Sequence, residues 1–179
     1  MIENIHLRSA KDTDYQSIYE INDLAFGQNS ESNLIALLRQ NKEFISELSI
    51  VAEMDNELVG HILFSKISIK NEDKQFESLA LAPMAVRPSF QNLGVGVKLV
   101  LYGITEAKRL GFTSLIVLGH EKYYPKFGFK SASLWKIKAP FDVPDSVFMA
   151  LELKEGALKD VFGTVCYPKE FNMIEAHSL

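Results

Sequence analysis

Residues 76–118 constrain the fold more than any other stretch, because they read as strand, loop, amphipathic helix and strand in direct succession. The apolar residues Leu93, Val97, Val100, Leu101, Ile104 and Ala107 recur at helical spacing, with Lys98, Glu106, Lys108 and Arg109 between them. Gly111 supplies the stop, and Phe112 to Leu118 is a compact apolar run of strand length. A helix between two apolar strands predicts a parallel crossover, since parallel neighbours need a long connection. The first strand of this unit, Phe76 to Val86, contains Pro83. A proline cannot donate to a sheet ladder, so an interruption is expected there, as a bulge or an open edge.

Upstream the pattern is antiparallel. Ser49 to Met54 and Glu57 to Ile69 flank Asp55-Asn56, a two-residue turn whose side chains tolerate positive φ, and Lys70 to Gln75 reads as the next turn of a meander. Ahead of the meander come a short strand, Ile5 to Arg8, and two helices. The first carries Tyr15, Ile18, Tyr19, Leu24 and Phe26 and ends at Gly27; the second covers Glu31 to Arg39. Later strands are expected at Leu134 to Ile137 and at Phe148 to Leu153. The predicted class is α/β (α+β): a mixed sheet, antiparallel early and parallel at the crossover, flanked by helices.

A chain of 179 residues with 47% hydrophobic composition and no linker or repeat is read as one domain, 1–179. A net charge of −4 gives no global positive field for a phosphate backbone, which argues against a nucleic-acid partner. No apolar run reaches the ~20 residues of a membrane span, and the N-terminal MIENIHLRSAKD lacks the apolar centre of a signal peptide; a cytoplasmic location is expected. The lone Cys166, beside Val165 and Tyr167, reads as a buried strand thiol. His6, His61 and His177 lack metal-ligand spacing, so no metal site is expected.

The chemistry lies in the loop before the amphipathic helix. Gly94 and Gly96 are placed in its first turn, where unpaired backbone N–H groups and the positive end of the helix dipole favour an anion. Two glycines at a helix start also serve close packing, and spacing alone does not separate the two readings. Other phosphate motifs can be tested directly. A dinucleotide fingerprint would need glycine where Leu99 stands, and the Walker string GxxxxGK[ST] does not occur.

What remains, Gln91-Asn92-Leu93-Gly94-Val95-Gly96, resembles the Q/R-x-x-G-x-G/A signature of the GNAT acetyltransferases. The segment Gly119 to Lys130, GHEKYYPKFGFK, also resembles the family, with a Tyr four residues ahead of a Gly-Phe pair. The resemblance implies that Gln91, Asn92, Leu93, Gly94, Val95 and Gly96 bind the pyrophosphate of acetyl-CoA, and that backbone groups of Met84 and Val86 pair with its pantetheine arm as an added strand. It implies that Tyr124 protonates the departing thiolate, with Tyr123 serving packing and aromatic core as the alternative for both tyrosines. The acceptor would be a primary amine, small-molecule or peptide. Its base is left open between Glu77 and His120, the latter standing where related chains often carry an acidic residue. The rival reading is a non-catalytic acyl-CoA-binding or sensor module of the same fold. A partner-binding protein built on the Phe-rich C-terminal half is the weaker alternative.

Overall fold

The computed structural model describes residues 3–173. Its first strand, β1 (His6–Ser9), is followed by helices α1 (Tyr15–Phe26) and α2 (Ser30–Leu38). Gly27 ends α1 in the left-handed conformation at φ 68°, which glycine adopts without steric cost. The meander comprises β2 (Ser49–Met54), β3 (Glu57–Lys70) and β4 (Gln75–Val86). Asp55 and Asn56 stand at φ 50° and 64°, both positive as the tight hairpin requires. Helix α3 (Val95–Arg109) leads to β5 (Ser114–Leu118), and β4 and β5 pair in parallel at Leu79↔Leu115 and Ala80↔Ile116.

The remaining strands are β6 (Lys130–Ser131), β7 (Ile137–Lys138), β8 (Phe148–Glu152) and β9 (Gly163–Cys166). The described strands form one mixed sheet in the order β1-β2-β3-β4-β5-β8-β6, with β9 pairing β3 and β7. The predicted class is therefore the observed one. The chain divides after Phe64, Ala82 and Glu106 into two compact units, so that β3, β4 and α3 each contribute residues to both.

The first unit builds its core from Ile18 and Ile21 of α1, Leu34 and Ile35 of α2, and the inward residues of β2 and β3. Along β3, alternate side chains serve different neighbours. Gly60 and Phe64 meet α3: a Cβ at Gly60 would press on Val95 and Leu99, and one at Gly103 would overlap the Phe64 ring. The helix backbone thus approaches the sheet through glycines. The second unit packs Ile67, Ile69, Ala80, Ile116, Ala150 and Val165 under Phe148 and Ile137.

Four expectations need correction. The segment Leu134 to Ile137 is strand only at Ile137, where β7 begins: Ala132–Trp135 forms a 3-10 turn, and Lys136 follows at φ 56°. Leu134 is 67% exposed, so no buried face demanded strand alternation there. Pro83 does not break β4, which runs through it with the ring buried, but the described pairing to β5 stops short of it at Ala80, in keeping with the open edge expected there. Helix α3 begins at Val95 rather than Leu93, leaving Gly94 just outside its first turn. Cys166 lies in a strand as expected, but it is half-buried, with its thiol directed at the Thr164 carbonyl.

Candidate functional site

At the end of β4, Pro83 and Ala85 turn inward, while Met84 and Val86 lie on the opposite, half-exposed side. Arg87 fixes this end. Its backbone N–H donates to Val59 O at 2.9 Å and its Nε to Leu58 O at 2.8 Å, and its guanidinium pairs with Glu20 at 2.8 Å. A 3-10 turn, Pro88–Phe90, then reverses the chain. Gln91 Nε2 donates back to Val86 O at 3.0 Å, which straps the loop onto the strand it has just left. The Val86 carbonyl is therefore already engaged.

Asn92 and Gly94 stand at φ 62° and 92°, so the turn before α3 is left-handed twice. A Cβ at Gly94 would meet nothing within 4 Å. This glycine is present for backbone conformation and open space, not for close packing, which removes the packing alternative at that position. The first helical bond runs from Lys98 N–H to Gly94 O at 3.1 Å. By helix geometry the N–H groups of Val95, Gly96 and Val97 then have no intrahelical acceptor, and they share the positive end of a 15-residue helix. Val95 and Leu99 are 1% and 0% exposed, so the helix is held rigidly behind its open end.

In the second unit, the chain leaves β5 at Gly119, whose N–H donates to Val147 O at 2.9 Å. The His120 carbonyl accepts from the N–H groups of Tyr123 and Tyr124 at 3.0 and 3.3 Å, and Tyr124 opens a 3-10 helix, Tyr124–Phe127, closed by Gly128 at φ 99°. The Tyr124 ring is 8% exposed and packs edge-on against Tyr123 and Phe129, with centroids 5.1 and 5.6 Å away. One edge of the ring also covers Gly119, where any Cβ would overlap it. Among the described residues its hydroxyl makes no protein hydrogen bond, and burial pushes its pKa well above the ordinary phenol value. The group is a protonated donor with its oxygen uncommitted. Tyr123 is half-buried with the Lys126 ammonium 3.8 Å over its ring, a packing and cation–π role.

A family model, the acetyltransferase (GNAT) family, matches residues 15–129, which contain Gln91 to Gly96 and all but the last residue of Gly119 to Lys130. The chain belongs to the GNAT acetyltransferase family.

An uncharacterized N-acetyltransferase of Escherichia coli K12, YjhQ, is 36% identical over 134 residues, 74% of each chain. Among GNAT structures, that of E. coli YhbS in complex with CoA superposes with a TM-score of 0.87 at 25% identity, covering 94% of this chain and 92% of the other. A GNAT acetyltransferase from Brucella melitensis in complex with acetyl-CoA gives 0.77 at 27% identity, covering 94% and 98%.

The candidate bases are separated by environment. The Glu77 side chain is 64% exposed and lies 4.0 Å from Lys66, the usual state of a solvated strand face. His120 is exposed and contributes its backbone carbonyl to the turn that carries Tyr124. His177 lies outside the described residues. Among the described residues no group of three or more His, Cys, Asp or Glu could hold a metal ion, and no helix is long and apolar enough to cross a membrane.

Sequence reading missed a buried polar chain in the first unit. Tyr15 Oη donates to Ser49 Oγ at 2.9 Å, which lies 3.0 Å from Nε2 of a fully buried His61. Alternation along β3 could have placed His61 indoors, but not its partners. Burial alone lowers its pKa from 6.5 to about 3, so folded His61 stays neutral where the unfolded chain's imidazole takes a proton. The unfolded state binds more protons between these values, and stability falls as pH drops from 6.5 toward 3, by about 1.4 kcal/mol per pH unit for one group. Urea unfolding of His61→Gln between pH 6 and 4 is expected to lack this slope. A slope equal to that of the parent protein would show that other groups carry the acid sensitivity.

Proposed function

We propose that this GNAT acetyltransferase takes the acetyl group from acetyl-CoA and transfers it directly to a primary amine, small-molecule or peptide. The observation that carries the reading is the turn at Asn92 and Gly94, left-handed at both residues and with open space where a Gly94 side chain would stand, directly ahead of the first turn of α3, whose N–H groups have no intrahelical acceptor. Such a helix end binds a pyrophosphate through backbone donors. Gln91 holds the loop in place, and Met84 with the remaining Val86 backbone group offers pairing for the pantetheine amides. Gln91 to Gly96 form the cradle, and their side chains act chiefly by not obstructing it.

In the reaction the amine nitrogen bonds to the thioester carbonyl carbon and the carbon–sulfur bond breaks. The nitrogen gives up a proton to solvent water, and the sulfur, leaving as the CoA thiolate, receives a hydrogen bond from Tyr124. A phenol pushed up by burial is a poor source of a free proton for a thiolate whose own thiol titrates near ~8.5. Hydrogen-bond donation to the developing negative charge, with the thiolate afterwards protonated by solvent, is the role its environment supports. We also propose that the chain works as one domain, since β3 and β4 run unbroken through both units.

Purified protein with acetyl-CoA and a panel of primary amines, followed by thiol release, tests the enzyme reading. Acetyl-CoA binding without thiol release on any amine would favour the non-catalytic acyl-CoA module instead. Gly96→Val tests the cradle: calorimetry on the folded variant is expected to show acetyl-CoA affinity weakened at least about tenfold, or ~1.4 kcal/mol. Parental affinity would remove the basis for placing the pyrophosphate there.

A further inference from the structure

The second unit holds an open cavity of about 230 Å³ between its 3-10 turns and the start of β8. Its floor is apolar: Ile137 and Phe148 are 2% and 4% exposed, and Phe141 and Val143 form one wall. That wall is preformed, because the Phe141 ring stacks on Tyr167 at 6.1 Å and 16°, and Tyr167 packs in turn on Phe171 at 5.1 Å. The rim is charged. Asp142 and Asp145 are exposed and have no ion-pair or side-chain hydrogen-bond partner among the described residues, and Lys138 stands on the same rim. Two carboxylates against one ammonium leave one net negative charge.

The cavity lies at the strand end that carries Tyr124, on the other face of the sheet. Phe148 on its floor pairs with Leu118 at the end of β5, whereas the next residue, Gly119, donates to Val147 O and by strand alternation faces the opposite way, with the Tyr124 ring over its missing side chain.

We propose that this cavity binds a small monocationic primary amine with an apolar, preferably aromatic, body, and that it holds the acceptor before reaction. The acceptor half rests on the acetyl-transfer reading; the binding half does not. The apolar floor buries the body of the ligand, whose removal from water drives binding. The ammonium lies toward Asp142 and Asp145, where the charge balance matches a monocation and Lys138 repels a second positive charge. The volume suits a ligand of fragment size rather than a folded peptide segment.

The test is a methyl NMR titration of the full chain with three probes. 2-Phenylethylamine carries both features, 3-phenylpropionate the same ring with opposite charge, and ethanolamine the charge without the ring. The expected result is that 2-phenylethylamine moves the Ile137 and Val143 methyls and binds at least about tenfold more tightly than either other probe. The exposed double variant Asp142→Asn/Asp145→Asn is expected to lose the preference over 3-phenylpropionate while retaining acetyl-CoA affinity. Equal binding of the two ring probes, an unchanged preference in the double variant, or shifts confined to other methyls would overturn the cavity assignment. If 2-phenylethylamine seats here and is never acetylated while other amines are, the cavity stands and its acceptor role falls. If no amine at all is acetylated, the failure is that of the acetyl-transfer reading, and the binding result is judged by itself.

Discussion

Tyr124→Phe is expected to lower kcat about ten- to a hundredfold while leaving the fold and acetyl-CoA affinity in place. The substitution removes one oxygen that has no protein partner among the described residues, and the ring keeps its edge-on contacts with Tyr123 and Phe129. No buried group is left unpaired, so no large stability loss follows. The effect falls below a full proton-transfer contribution because Tyr124 only donates a hydrogen bond and a CoA thiolate is already a fair leaving group. An equal fall in kcat and kcat/KM would mark an interaction made in the transition state. Because burial raises the phenol pKa, the parental enzyme is also expected to show no loss of kcat attributable to Tyr124 below the ordinary phenol range near pH ~10. Parental turnover by Tyr124→Phe across the pH range would exclude the hydroxyl from the reaction.

Gly119→Ala is expected to cost at least as much activity as removing the hydroxyl itself. Its new Cβ would overlap the Tyr124 ring, which cannot yield toward Tyr123 or Phe129 without disturbing them. Over-packing of this kind typically costs ~1–3 kcal/mol, so a lowered melting temperature should accompany the loss. The double variant Gly119→Ala/Tyr124→Phe separates a misplaced phenol from general damage. If Gly119 acts by seating Tyr124, the double variant should turn over no more slowly than Gly119→Ala alone, since a displaced hydroxyl has nothing left to lose. Additive losses would assign Gly119 a separate role.

The loop before α3 was the most legible part of the chain because its logic is local. Proline, glycine and an amphipathic period within some twenty residues announce a strand, a turn and a helix end, and each was found within a residue or two of its expected place. The errors fell where local pattern and burial disagree. Leu93 and Leu134 continue apolar patterns but stand 40% and 67% exposed, so helix and strand were extended over residues that serve turns. Pro83 carries a backbone penalty that sequence alone converts into an interruption, yet β4 absorbs it without a break.

Properties that depend on neighbours distant in sequence lay beyond that reach. By itself the sequence determined the mixed sheet, the crossover and the open helix start, since these follow from periodicity and from backbone angles that only certain residues tolerate. Only the tertiary structure decided which groups are desolvated and what faces them. It buried His61 against Ser49, strapped Gln91 to Val86, and laid Tyr124 over Gly119 with its hydroxyl uncommitted. It also placed Phe141, Asp142 and Asp145 around a cavity at the start of β8. The physical reason is that a side chain's charge state and reach depend on burial, which is a property of the packed chain and not of its order.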